Sequence, residues 1–157
     1  MTIAEQIAVI KAALVSWSKE NKGNVHVAGD AAHLFRLLAN SPGSLRAVIL
    51  FDAETKRGEF ESSGGVDRKF LVVISRGVGF KLDPADNLVE GSAGGRPLYD
   101  LIEEGRETVR ALRFTGDGQI EPEPDYKGTN RTQFEGLLAT DAYQIEFTLG
   151  TQLPIHE

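Results

Sequence analysis

Phe70-Leu71-Val72-Val73-Ile74-Ser75-Arg76-Gly77 is the stretch on which the fold turns. Its unbroken apolar run, rich in β-branched residues and closed by Ser75-Arg76-Gly77, reads as a buried strand. A second stretch, Tyr143-Gln144-Ile145-Glu146-Phe147-Thr148-Leu149, alternates strictly. Tyr143, Ile145, Phe147 and Leu149 share one face; Gln144, Glu146 and Thr148 share the other. Such alternation marks a sheet covered on one side, whose second face meets water or another subunit.

Outward from these strands, two amphipathic helices supply the cover. Thr2-Ile3-Ala4-Glu5 has the form of a capping box, and Ile3, Ile7, Ile10, Leu14 and Trp17 recur at helical spacing until Asn21-Lys22-Gly23 supplies a stop. This helix reads as core-facing. Pro97 opens a second helix in the favoured first turn. Leu98, Leu101, Ile102, Val109 and Leu112 form its buried stripe, and Glu103, Glu104, Arg106, Glu107 and Arg110 its outer side. The expectation is an α+β fold: a mostly antiparallel sheet of four to six strands, with the helices Ile3–Glu20 and Pro97–Leu112 packed on one face.

The remaining segments fill in around this frame. Val25-His26-Val27 reads as a short strand, followed by a helix with Asp30 as N-cap, Ala31, Leu34, Leu37 and Leu38 inward, and Asn40-Ser41-Pro42-Gly43 as its end. Leu45–Phe51, a weaker segment around Glu59-Phe60-Glu61, and Asp67–Ser75 read as hairpin-connected strands. Val78–Gly95 is Gly-rich and without period. Leu112-Arg113-Phe114-Thr115 reads as the start of another strand, Gly116–Gln133 as a long surface loop, and Gln133–Leu138 and Ala142–Gly150 as closing strands.

Composition narrows the function classes. At 157 residues the chain reads as a single domain, 1–157, large enough to bury a core. Apolar residues make up 41% and charged residues 25%, which excludes disorder. A net charge of −6 gives no electrostatic footprint for gripping DNA or anionic lipid. Without cysteine, disulfides and thiolate metal sites are excluded, which fits a reducing compartment. The start of the chain lacks a basic n-region, and Lys11 interrupts its apolar stretch, so it reads as a helix and not a signal peptide. No apolar run approaches the roughly 18 residues of a membrane span. A cytoplasmic protein with no membrane partner is the expectation.

Catalytic chemistry is sparse. His26, His33 and His156 have no metal-ligand spacing with one another, and Ser75 lacks a nucleophile-elbow context. Gly91-Ser92-Ala93-Gly94-Gly95-Arg96-Pro97 precedes a helix but has neither the ending of a P-loop nor dinucleotide-binding spacing; Gly77-Val78-Gly79 falls short too. Glu121, Glu123 and Asp125 alternate with Pro122 and Pro124, which favours an extended, polyproline-like acidic segment. We therefore assign no catalytic, metal or cofactor residue and expect no enzyme.

The element order itself carries a resemblance. An apolar N-terminal helix, hairpin strands, the strand ending Val73-Ile74-Ser75-Arg76, the helix Arg96-Pro97-Leu98-Tyr99-Asp100-Leu101-Ile102 and then Tyr143-Gln144-Ile145-Glu146-Phe147 resemble, over most of the chain, bacteriophage tail-terminator and tail-completion proteins. The helix near Asp30 and the Gly-rich insertion depart from that pattern. The resemblance implies a small structural virion protein with an α+β fold that closes a ring, usually hexameric, on the end of the tail tube. It implies assembly in the host cytoplasm followed by residence in the virion tail. The implied partners are copies of itself and tail-tube or head–tail connector proteins, with DNA a passing substrate that is not gripped.

Two excursions are the candidate contacts for such a ring. Ala53–Lys69 mixes Lys56, Arg57, Glu59, Glu61, Asp67, Arg68 and Lys69, both signs in one segment, suited to pairing with another copy. Gly116–Gln133 carries Glu121, Glu123, Asp125 and Lys127 among turn residues and has little to bury alone. Both are expected to be loose in the free subunit and to order on assembly. The alternative is a small ligand-binding or enzymatic α+β domain using a pocket between helix and sheet.

Overall fold

A computed structural model describes residues 1–39, 45–56, 65–77, 88–89, 91, 96–114, 123–132 and 140–153. The elements run α1 (Ile3–Glu20), β1 (Asn24–Ala28), α2 (Ala31–Ala39), β2 (Leu45–Lys56), β3 (Gly65–Gly77), α3 (Leu98–Arg110), β4 (Asp125–Arg131) and β5 (Thr140–Gln152). The five strands form one mixed sheet in the order β1-β2-β3-β5-β4. Only β1 and β2 are parallel, with Asn24 opposite Arg46 and Ala28 opposite Leu50; the other pairings are antiparallel.

Local chemistry sets the ends of α1. Thr2 Oγ1 accepts the Glu5 backbone N–H at 3.1 Å, satisfying one of the free donors of the first turn. At the other end Gly23 N–H reaches Ser18 O at 2.8 Å and Lys22 N–H reaches Lys19 O at 3.4 Å, a Schellman motif. Its left-handed residue is Lys22, at φ 54°. For α2 the cap is Asp30, whose Oδ1 accepts the His33 N–H at 2.7 Å, while Gly29 N–H donates back to His33 Nδ1 at 2.9 Å.

Both expected helices lie on one face of the sheet. Ile10, Leu14 and Trp17 of α1 and Leu98, Leu101, Ile102 and Val109 of α3 close over Ala47, Ile49, Phe70, Val72, Ile74, Ile145, Phe147 and Leu149. An aromatic row crosses the strands here: Phe51 meets Phe70 edge-on at 5.5 Å, and Phe70 stacks on Phe147 at 5.6 Å. Helix α2 packs on the opposite face, where Leu34 and Leu38 cover Val48, Leu50, Leu71, Val73 and Ala142. That is why Phe70–Ile74 is apolar without a break: even-numbered positions feed the first core and odd-numbered ones the second. Strand β5 reaches past α2, so it alternates.

Three expectations need correction. Leu112-Arg113-Phe114 forms no strand; Leu112 and Phe114 are buried as apolar anchors in the first core without joining the ladder. Inside the supposed long loop lies β4, an edge strand of which Tyr126 supplies the apolar contact and Gly128, at φ 150°, sits beside a bulge. The Ala53–Lys69 excursion is shorter than expected, because β2 and β3 stay paired out to Lys56 and Val66 with a bulge between Phe51 and Ala53. The segments proposed at Glu59–Glu61 and Gln133–Leu138 lie outside the described residues.

Gly105 sets how closely α3 approaches the sheet. A β-carbon there would collide with Ile74 Cδ1 and lie 3.8 Å from Trp17 Cζ2. Gly105→Ala is expected to lower stability by about 1–2 kcal/mol, overpacking outweighing the ~1 kcal/mol gain in helix propensity. In an Ile74→Val background, which lacks the colliding methyl, the same change should be neutral or stabilising. Equal costs in both backgrounds, read from urea unfolding, would refute the contact.

Candidate functional site

Beyond the reach of α2, the second sheet face is polar. Asp52, Lys69, Glu146, Thr148 and Asp125 stand there, placed by the register Ala53–Lys69–Thr148–Asp125 across β2, β3, β5 and β4. Lys69 Nζ lies 2.9 Å from Glu146 Oε1 and 3.1 Å from Asp52 Oδ2, and Lys127 Nζ lies 2.7 Å from Asp125 Oδ2. The bonds to Glu146 and Asp52 hold the Lys69 ammonium above its ordinary range, and that to Asp125 does the same for Lys127. These side chains are partly exposed, so the pairs fix charge positions more than they stabilise the fold.

The expected contact residues divide between the two faces. Asp67, Lys69, Asp125 and Lys127 come together at this open face, and Glu123 is exposed just before β4; Lys56, paired with Val66, is exposed but belongs with Arg68 to the opposite face. Arg68 does not join them. It points to the opposite face because neighbours in a strand alternate, and it is buried. Its Nε meets Glu54 Oε1 at 2.9 Å, and its Nη1 donates to Met1 O at 2.9 Å and to Gln6 Oε1 at 3.0 Å. Gln6 Nε2 in turn donates to Thr151 Oγ1 at 2.8 Å. Arg68 therefore pins α1 to the β2–β3 hairpin and the end of β5, and is no free contact. Arg57, Glu59, Glu61 and Glu121 lie outside the described residues.

A second cluster escaped the sequence reading. At the far end of β4, Arg131 Nη2 donates to the Tyr143 hydroxyl at 2.9 Å, and its Cζ lies 5.2 Å from that ring's centre. Arg131 Nη1 lies 3.7 Å from Asp141 Oδ1. The Tyr99 hydroxyl, from α3, is 3.2 Å from that of Tyr143, the rings meeting edge-on at 5.7 Å. Burial first, then the bond to Tyr99, pushes the Tyr143 phenol above its ordinary value, so it remains neutral beside Arg131. Buried Arg76, opposite Asp141 in the ladder, donates from Nη2 to Arg96 O at 2.6 Å. The elements meeting here are far apart in sequence, and Tyr143 had read simply as core.

The other polar groups do not converge. His33 is occupied in capping α2. Arg46 is buried on the second face, and its Nε has no hydrogen-bond partner among the described residues. Among the described residues no group of three or more His, Asp or Glu could hold a metal ion, and no helix is long and apolar enough to cross a membrane. A groove of about 1040 Å³ runs between α1 and α3, past Trp17, Glu20, Arg96 and Glu107.

Two outcomes follow from these placements. Arg68→Ala should cost roughly 2–3 kcal/mol in urea unfolding, since Gln6 and Glu54 lose their partner. Self-association of the folded chain should be unchanged; weakened association at equal stability would restore Arg68 as a contact. His26 on β1 is held below its ordinary 6.5, by burial first and then by the charges of Arg46, Lys11 and His33. The unfolded chain therefore takes up this proton before the folded one does. The contribution of neutral His26 is complete above 6.5 and declines as pH falls below it. His26→Gln should flatten that part of the stability curve between about pH 7.5 and 5.5, measured as urea midpoints.

In comparisons with known proteins, no protein-family model matches the chain, and neither does any curated protein.

Proposed function

We propose that this chain is a structural subunit that works by assembly: a tail-terminator or tail-completion protein that forms a homo-oligomeric ring on the end of a phage tail tube. The observation that supports assembly most directly is the open half of the second sheet face. Its charges of both signs, Asp52, Lys69, Glu146, Asp125 and Lys127, are fixed in place by neighbouring side chains on a paired sheet. A surface of this kind meets a second copy with little reorganisation, and complementary charges set register more than raw affinity. The choice of tube end as partner rests on the resemblance of the element order to that of tail terminators. Its net charge of −6 suits a conduit through which DNA slides unheld. On this reading the subunit is made in the host cytoplasm and ends in the virion tail.

Sedimentation velocity over a concentration series, with negative-stain imaging alone and with tail tubes, tests the reading. Reversible association that loosens with salt is expected, and Lys127→Gln, which removes an exposed charge without setting carboxylates together, should weaken it without lowering the melting temperature. A chain that stays monomeric throughout, with and without tubes, would overturn the proposal.

A further inference from the structure

The corner formed by Tyr99, Arg131 and Tyr143 is built to receive something. Arg131 is braced by the Tyr143 hydroxyl and ring and by Asp141, yet its side chain is 44% exposed. A guanidinium has five N–H donors, and these contacts leave some of them facing outward. Asp141 holds Arg131 at 3.7 Å and acts electrostatically on Arg76 as well, so the corner is anchored to the end of the β3–β5 ladder. Beside them Tyr99 is 40% exposed, one of two large apolar side chains so exposed among the described residues. A braced arginine next to an exposed tyrosine has the composition of an interface hot spot and loses little rotamer freedom on binding.

The complement stands at the other end of the same strand. Glu123 is exposed and has no ion pair or hydrogen bond with any described residue; Pro124 and Asp125 follow, Asp125 already paired to Lys127. Proline-interleaved segments are extended before they bind and lay their rings against aromatic side chains. Within one chain the two ends cannot meet. At about 3.3 Å per residue, the eight steps from Glu123 to Arg131 hold them roughly 25 Å apart.

We propose that the Tyr99–Arg131–Tyr143 corner of one copy takes the Glu123-Pro124-Asp125 segment of the next, Arg131 binding the Glu123 carboxylate and Tyr99 flanking Pro124. This rests on the self-assembly reading. In the ring reading the contact runs head-to-tail, the receiver of each copy taking the donor of the next.

The test is a titration of the peptide Glu121–Lys127 into isotopically labelled full-length chain, followed by NMR. Saturable shifts at the Arg131 side chain and the Tyr99 and Tyr143 rings are expected. They should weaken at least about tenfold, the loss of a charge-assisted pair, with a Glu123→Gln peptide or an Arg131→Gln chain. Absent shifts at the corner, or undiminished binding by the Glu123→Gln peptide, overturn the contact. In the full chain Glu123→Arg and Arg131→Glu should each reduce association, and the double reversal should restore it. If both single variants associate normally, this contact fails while the assembly reading stands. If the wild-type chain never associates, the assembly reading fails and the peptide titration decides the corner alone.

Discussion

The parallel pairing of β1 with β2 is the constraint from which the rest of the architecture follows. Antiparallel neighbours can be joined by a tight turn, but parallel ones need a crossover, and here the crossover is α2. That helix has to bury its apolar side, and the surface it finds is the second face of β2 and β3. The sheet is thereby covered on both sides at one end and on one side at the other. Where the cover stops, the side chains change from Val73 and Leu71 to Lys69 and Glu146. The boundary between core and candidate interface is thus the edge of α2.

Much of this was legible in the residues themselves. The stripes of α1 and α3, the unbroken run Phe70–Ile74 and the alternation of β5 each encode a burial pattern that the structure contains. The face chosen by α2 was not legible, because a stripe shows that a helix is buried without showing against what. Strand β4 was hidden for a different reason: an edge strand with Tyr126 as its apolar contact and a bulge at Gly128 has no period to detect. Leu112 and Phe114 misled in the opposite direction, since two alternate residues can be buried without any ladder.

The contact residues show the same limit. Parity alone separates Arg68 from Asp67 and Lys69, so its position on the opposite face could have been read from the chain. Grouping Asp67 and Lys69 with Asp125 and Lys127 required the strand order, which places β5 between β3 and β4. The corner at Arg131 required more still, since it joins α3, β4 and β5 through contacts to Tyr99 and Tyr143.

A sheet that offers contact surfaces also has a free edge to defend. Among the described strands β4 is the outermost, next to β5, and an exposed edge invites any extended chain to add itself to the ladder. Here that edge is short, charged at Asp125, Lys127 and Arg131, and interrupted by the Lys127–Gly128 bulge. Each of these features works against indiscriminate strand addition and amyloid-like stacking. Backbone pairing is disfavoured along this edge while side chains at its two ends stay available, so association at β4 falls to side-chain recognition more than to the open-ended growth of a sheet.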